Sequence, residues 1–165
     1  MSLTCKVLRV IAGSFLVFLV ASSAWAGVSV DFAGEPVRGM KDGRVVLLLE
    51  IRSDAPLREV RIEAPERLPL TPVGARFDEK VRWHEVAISP LVLRLLPAPG
   101  GGHVQALNAG IVFQARGGGR AADVFQQGGR ERRPSFVLVA VRADGKEERV
   151  DVSLPHAAMI SVSHE

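Results

Sequence analysis

The chain has a single cysteine and no tyrosine. Cys5 lies within the first ten residues, so residues 27–165 carry no thiol at all. A disulfide scaffold and a cysteine nucleophile are therefore excluded for that part of the chain. Aromatic residues make up only 5% of the sequence. A stacking platform for single-stranded nucleic acid depends on such residues, so the sequence argues against one.

Short catalytic motifs are also missing. The sequence has no G-x-S-x-G elbow. Its glycine runs at Gly100–Gly102 and Gly117–Gly119 are not followed by Lys-Ser or Lys-Thr, so neither is a phosphate-binding loop. A Ser-His-Asp site is assembled in space and needs no local motif. A hydrolase is therefore retained, but as the third hypothesis.

Excess charge of one sign is absent from most of the chain. Lysine and arginine total 21 against 18 acidic residues, and without Lys6 and Arg9 the basic total falls to 19. Nucleic-acid-binding domains usually carry a larger and clustered basic excess. We therefore expect no nucleic-acid partner.

The first 26 residues have the pattern of a secretory signal peptide. Lys6 and Arg9 precede an apolar run, Val10–Val20, and Ala24-Trp25-Ala26 is a small-x-small cleavage site. An uncleaved membrane anchor is the alternative, but a spanning helix needs about 20 apolar residues. Cys5 precedes the apolar run, which is not the position of a lipoprotein cysteine.

Cleavage after Ala26 leaves 139 residues, which suits a single domain over residues 27–165. The sequence thus predicts a periplasmic or secreted protein with no transmembrane span after cleavage. With no disulfide available, burial of apolar side chains must stabilise this domain.

The stretch Ser135–Leu154 predicts a β-hairpin. Asp144-Gly145 is typical of a two-residue turn, which would place Val139 opposite Val150. Because side chains alternate along a strand, one face is then predicted to enter the core. That face comprises Val137, Val139, Val141, Val150, Val152 and Leu154.

Further short strands are predicted along the chain. Val45–Ile51 is apolar on both faces, which indicates a strand covered on both sides. Ser53–Pro56 is predicted to end it, Asn108–Gly110 to be a turn, and Gly117–Pro134 a mobile loop. The pattern predicts an all-β fold, an antiparallel immunoglobulin-like β-sandwich of about eight strands. A small closed β-barrel is the alternative.

His156 and Met159 form the best candidate metal-binding fragment. Imidazole and thioether ligands together suit copper, particularly Cu(I). A copper site needs more ligands, and the sequence offers His84, His103, His164 and Met40. The alternative is that Met159 is a core residue and His156 a surface residue after Pro155.

Five arginines near the predicted mobile loop form a second candidate site. They are Arg116, Arg120, Arg130, Arg132 and Arg133. Only Asp123 and Glu131 oppose them, so this segment can contact anionic lipid, polysaccharide or an acidic protein. A solvated loop is the simpler interpretation.

These observations predict an exported, non-enzymatic β-sandwich protein that binds or supports another cell-envelope protein. Export, the lack of catalytic motifs and the many strand edges favour this function. A periplasmic copper-binding protein using His156 and Met159 is the alternative, and a hydrolase with a spatially assembled site comes last.

Overall fold

The computed structural model describes residues 27–98, 100–102, 104–127, 133–157 and 159–162. The predicted signal peptide lies outside these residues. In chain order the elements are β1 (Val28–Gly39), β2 (Val45–Glu63), β3 (Leu70–Phe77), β4 (Trp83–Ile88), β5 (Leu91–Leu95), β6 (Val104–Ala115), α1 (Ala121–Gln126), β7 (Ser135–Arg142) and β8 (Glu147–Ser153). The predicted all-β class with about eight strands is confirmed.

Strand β2 organises the sheet. All pairings between the eight strands are antiparallel. Residues 45–52 of β2 lie between β1 and β6, whereas residues 59–62 lie between β5 and β7. The sheet therefore has two halves, β1-β2-β6-β3 and β4-β5-β2-β7-β8, which share β2. This architecture lies between a sandwich and a nearly closed barrel.

The predicted break at Ser53–Pro56 is wrong, because β2 continues through these residues and is 19 residues long in total. The register of β2 against β6 shifts between Arg52 and Leu57, so this is where β2 changes neighbours. A proline is tolerated there because the regular ladder does not need its missing N–H. The carbonyl of Pro56 is still used, since it accepts a hydrogen bond from Ala143 N at 2.8 Å.

Both halves of the sheet contribute to a single core. Alternate residues are fully buried in both parts of β2, namely Val45, Leu47, Leu49 and Ile51 in the first part and Val60 and Ile62 in the second. Phe113 in β6 and Phe136 in β7 belong to different halves, and their ring centroids lie 5.5 Å apart. The two halves therefore pack face to face through large apolar side chains.

The predicted hairpin forms, but its predicted register is wrong by one residue. Leu138, and not Val139, lies opposite Val150. Arg142 N donates to Lys146 O at 2.9 Å, so the loop has three residues, and only Gly145 among them has a positive φ, of 88°. A two-residue turn of the expected type needs positive φ at both positions.

The side chain of Asp144 explains this loop. Its Oδ1 accepts a hydrogen bond from Lys146 N at 2.9 Å, which stabilises a turn with Asp144 at negative φ. The shift moves β7 onto its other face. The side chains of the hairpin that join the shared core are consequently Phe136, Leu138, Ala140, Val152 and Leu154. Of the predicted core residues, Val139 and Val141 are also buried, at 0% and 1% exposure, but on the opposite face of β7.

The prediction of a mobile loop over Gly117–Pro134 is wrong for its middle part, which forms α1. Ala121 and Phe125 are 0% and 1% exposed. Residues four positions apart lie on the same side of a helix, so two apolar residues suffice to anchor a single helical turn on the core. Ala121 N also donates to Gly43 O at 3.1 Å, which ties α1 to the β1–β2 turn.

Candidate functional site

A groove of about 600 Å³ lies on the outer face of β1-β2-β6-β3. Val45, Leu47 and Leu49 point into the core, so the alternating residues Val46 and Leu48 face outwards and line the groove. Outer faces of antiparallel sheets are usually polar. The apolar character of both faces of Val45–Ile51 therefore reflects the core on one side and this groove on the other.

Gly110 makes the floor of the groove flat. It lies in the interior of β6, which continues through the turn predicted at Asn108–Gly110. A Cβ atom at Gly110 would lie 2.9 Å from Cγ1 of Val46 and 3.5 Å from Cδ2 of Leu48. Glycine inside a strand marks such close approaches. Its missing side chain lets Val46 and Leu48 lie across β6.

Two arginines lie on opposite sides of the apolar floor that Val46 and Leu48 form. Arg38 of β1 is in register with Val46, and Arg76 of β3 is in register with Gly110. The outer strands β1 and β3 are three strand spacings apart, which corresponds to about 14 Å. The floor is therefore an apolar strip with a cation at each side.

The acidic residues of the groove are already engaged. Asp42 Oδ2 accepts a hydrogen bond from Arg44 Nε at 2.7 Å. This bond lowers the pKa of the Asp42 carboxyl and raises the pKa of the Arg44 guanidinium. Asp78 accepts a hydrogen bond from Asn108 Nδ2 at 3.0 Å.

The side chains of Arg38 and Arg76, in contrast, have no hydrogen-bond or ion-pair partner within the described residues. The charge that the groove offers to a ligand is therefore positive. An apolar floor with an uncompensated cation at each side suits a ligand that is apolar in the middle and anionic at its ends.

The β1–β2 turn forms one rim of the groove. Met40 N donates to Arg44 O at 2.8 Å, and Gly43 has a φ of 85°. Asp42 Oδ1 accepts a hydrogen bond from Arg44 N at 3.1 Å, as Asp144 does from Lys146 in the β7–β8 turn. Both Asp-Gly pairs thus form the same three-residue loop.

The structure describes only part of the predicted copper site. His156 is exposed, and Met159 is 90% exposed and therefore not a core residue. Within the described residues no three His, Cys, Asp or Glu side chains lie close enough to hold a metal ion. His84 is on β4, and His103 and His164 lie outside the described residues. Copper binding stays a prediction.

We expect Cu(I) to leave the melting temperature of residues 27–165 unchanged. A ligand raises the stability of a protein only when it binds the folded state more tightly than the unfolded state. Two exposed side chains should bind Cu(I) about equally well in both states. Thermal unfolding with and without one equivalent of Cu(I) checks this. An increase that is lost in His156→Ala and in Met159→Leu would contradict this expectation and support the copper hypothesis.

The predicted arginine segment is only partly described. Arg116 Nε donates to Thr71 Oγ1 at 2.9 Å and its Nη1 to Glu66 O at 3.3 Å, so Arg116 holds β6 against β3. Arg120 and Arg133 are exposed. Arg130 and Arg132 lie outside the described residues, and a role of this segment in partner contact stays a prediction.

The edge strand β4 is a second exposed apolar feature. It pairs only with β5 among the described strands, and its Val86 and Ile88 are 48% and 56% exposed. Its register shifts between Glu85 and Ala87. Natural edge strands avoid further pairing by being short and bulged. This strand is both, so it is less suited than the groove to receive a partner.

Comparison with known proteins adds little to the geometry. No model of a protein family matches the chain, and no curated protein is similar to it in sequence. The crystal structure of a DUF4466 family protein from Parabacteroides merdae is similar, with a TM-score of 0.41 and 5% sequence identity. The match covers 78% of this chain and 44% of that protein. In the described part of the chain, no helix is long and apolar enough to cross a membrane.

Proposed function

We propose that the protein is an exported, non-enzymatic β-protein that binds another cell-envelope protein through this groove. The observation that carries the proposal is the apolar floor of Val46 and Leu48 between Arg38 and Arg76. Burial of an apolar patch supplies affinity, and complementary charges at its sides orient the partner. Export rests on the small-x-small motif that ends at Ala26.

The shape of the groove favours a segment of a protein over a small molecule. Small-molecule sites bury most of the surface of their ligand. The groove is lined by residues of β1, β2, β3 and β6 and by the β1–β2 turn, and we expect it to leave one side of a ligand open to solvent. An extended polypeptide segment with apolar residues between two acidic ones matches both its shape and its charge.

Photo-crosslinking in the native envelope tests this function. A photoreactive residue at Ala33, which lines the groove, is expected to give an adduct with a polypeptide. The same residue at Ala143, in the distant β7–β8 loop, is expected to give none. Reversal of both charges, in Arg38→Glu with Arg76→Glu, is expected to abolish the adduct.

The matched control reverses two exposed arginines outside the groove, in Arg67→Glu with Arg82→Glu. This pair changes the net charge equally and should leave the adduct intact. If both double variants lost the adduct equally, the change in net charge would explain the loss, and the proposal would be contradicted. An adduct with a lipid or a fatty acid in place of a polypeptide would show that the groove holds a small amphiphile.

A synthetic peptide tests the proposed chemistry of the partner segment. Its two acids should be about four residues apart around Val-Leu-Val, because an extended chain rises about 3.3 Å per residue. Charge reversal at Arg38 and Arg76 is expected to weaken binding at least about tenfold. Replacing both acids of the peptide with amides should have the same effect on the wild-type protein, and fluorescence anisotropy measures both.

A further inference from the structure

Three charged side chains from three strands meet at the start of β1. Nη2 of Arg142 lies 2.8 Å from Oδ1 of Asp54 and also forms an ion pair with Glu148. The Arg142 side chain is only 9% exposed, whereas Asp54 and Glu148 are 34% and 22% exposed. One cation facing two anions leaves this charge cluster with a net negative charge.

The chain enters β1 directly beside the charge cluster. Gly27 N donates to Asp54 Oδ2 at 3.0 Å, and Val28 N donates to Glu148 Oε2 at 2.6 Å. Gly27 O in turn accepts a hydrogen bond from Asp54 N at 3.1 Å. Each carboxylate therefore holds one of the two residues that follow the predicted cleavage site.

Glycine at position 27 permits this close approach. A Cβ atom there would lie 2.9 Å from Oε2 of Glu148. The backbone nitrogen of Gly27 can thus lie against the acidic pair without a side chain in between.

We propose that signal-peptide cleavage after Ala26 completes the charge cluster with the α-ammonium group of Gly27. Water hydrolyses the Ala26–Gly27 amide bond, the carboxylate stays on Ala26, and the amine released on Gly27 takes up a proton at neutral pH. The nitrogen that donates to Asp54 as an amide then carries a positive charge. The four charges cancel, and charged donors form the stronger hydrogen bonds.

This proposal depends on the predicted cleavage site and is independent of the groove. The proposal also predicts how the stability of the folded protein depends on pH. An α-amino group ordinarily titrates at about pH 8. Asp54 and Glu148 raise its pKa in the folded state, and Arg142 opposes them. The ion pair therefore contributes stability below about pH 8, and this stability is lost as the pH rises through the higher folded pKa.

The test compares two forms of the chain that begins at Gly27, obtained from a fusion cut by a protease that leaves this glycine first. One form keeps the free amine and the other is acetylated at that nitrogen. Acetylation is expected to raise the unfolding equilibrium constant about three- to tenfold at pH 7, since one pKa unit corresponds to a factor of ten. Urea denaturation of both forms measures the change.

The pKa of the Gly27 amine, followed by NMR of the unmodified wild-type protein, gives a second readout that needs no variant. It should exceed 8 and fall back towards 8 in Asp54→Asn. Asp151→Asn, a change to an exposed acid elsewhere on β8, should alter neither readout. Equal stability of the two forms, an amine pKa of about 8 or lower, or a native amino terminus other than Gly27 would each overturn the proposal.

Discussion

Replacing Phe113 with alanine is expected to lower the free energy of unfolding by about 3–5 kcal/mol. Phe113 is fully buried on β6 and packs on Phe136, which is fully buried on β7. The substitution removes apolar burial and also leaves a cavity where the two halves of the sheet meet. Denaturation in urea, followed by circular dichroism, measures the loss.

Two further variants show whether this contact joins the halves. Phe136→Ala should cost a similar amount, and the double variant should reveal a coupling of about 0.5–1.5 kcal/mol between the two rings. Phe32→Ala is the control, because Phe32 is 41% exposed, and it should cost less than about 1 kcal/mol. If Phe113→Ala cost no more than the control, the two halves would not share a core.

A shared core has a consequence for how the domain unfolds. Strand β2 supplies buried residues to both halves, with Leu47 in the first and Ile62 in the second. Neither half can separate without exposing part of the same strand. One cooperative transition is therefore the expected behaviour of this domain.

Alternation of apolar residues was sufficient to predict the strand class but not the register. The Asp144-Gly145 pair located the hairpin correctly, yet Asp-Gly suits both a two-residue loop with positive φ at both positions and a three-residue loop in which only the glycine takes positive φ. The structure settles this through the hydrogen bond from Lys146 N to the Asp144 carboxylate. A shift of one residue then exchanges the two faces of β7.

The predicted breaks inside β2 and β6, at Ser53–Pro56 and at Asn108–Gly110, were wrong for related reasons. Pro56 and Gly110 are typical strand breakers, and each occupies a position where the strand tolerates or needs it. Pro56 lies where β2 changes partners, and Gly110 lies beneath Val46 and Leu48. Local sequence cannot distinguish these positions from turns, because the tolerance comes from neighbouring strands.

The groove could be predicted from sequence only in part. Apolar residues on both faces of Val45–Ile51 predicted a strand covered on both sides, whereas in the structure the outer residues Val46 and Leu48 line the groove. Arg38 and Arg76 are far apart in sequence, and only the pairing of β1 with β2 and of β3 with β6 brings them to either side of one floor. His156 and Met159 are close in sequence, and their role as copper ligands stays a prediction.

The second large effect is expected at Arg142. Replacing it with methionine keeps much of the apolar stem but leaves Asp54 and Glu148 facing each other without the side chain that pairs with both. Breaking a buried ion pair costs about 3–5 kcal/mol, and partial exposure of the two acids reduces this to about 2–4 kcal/mol. Urea denaturation at pH 7 measures the loss.

A variant without charge separates the loss of the arginine from the repulsion left behind. Arg142→Met combined with Asp54→Asn and Glu148→Gln should regain most of the lost stability, because a buried ion pair is often replaceable by neutral groups. Nε of Arg142 is buried without a hydrogen-bond partner among the described residues. This unsatisfied group already lowers the net contribution of Arg142 to the free energy of unfolding. If the triple variant were as unstable as Arg142→Met alone, the stability would come from the packing of the Arg142 stem, and not from its charge.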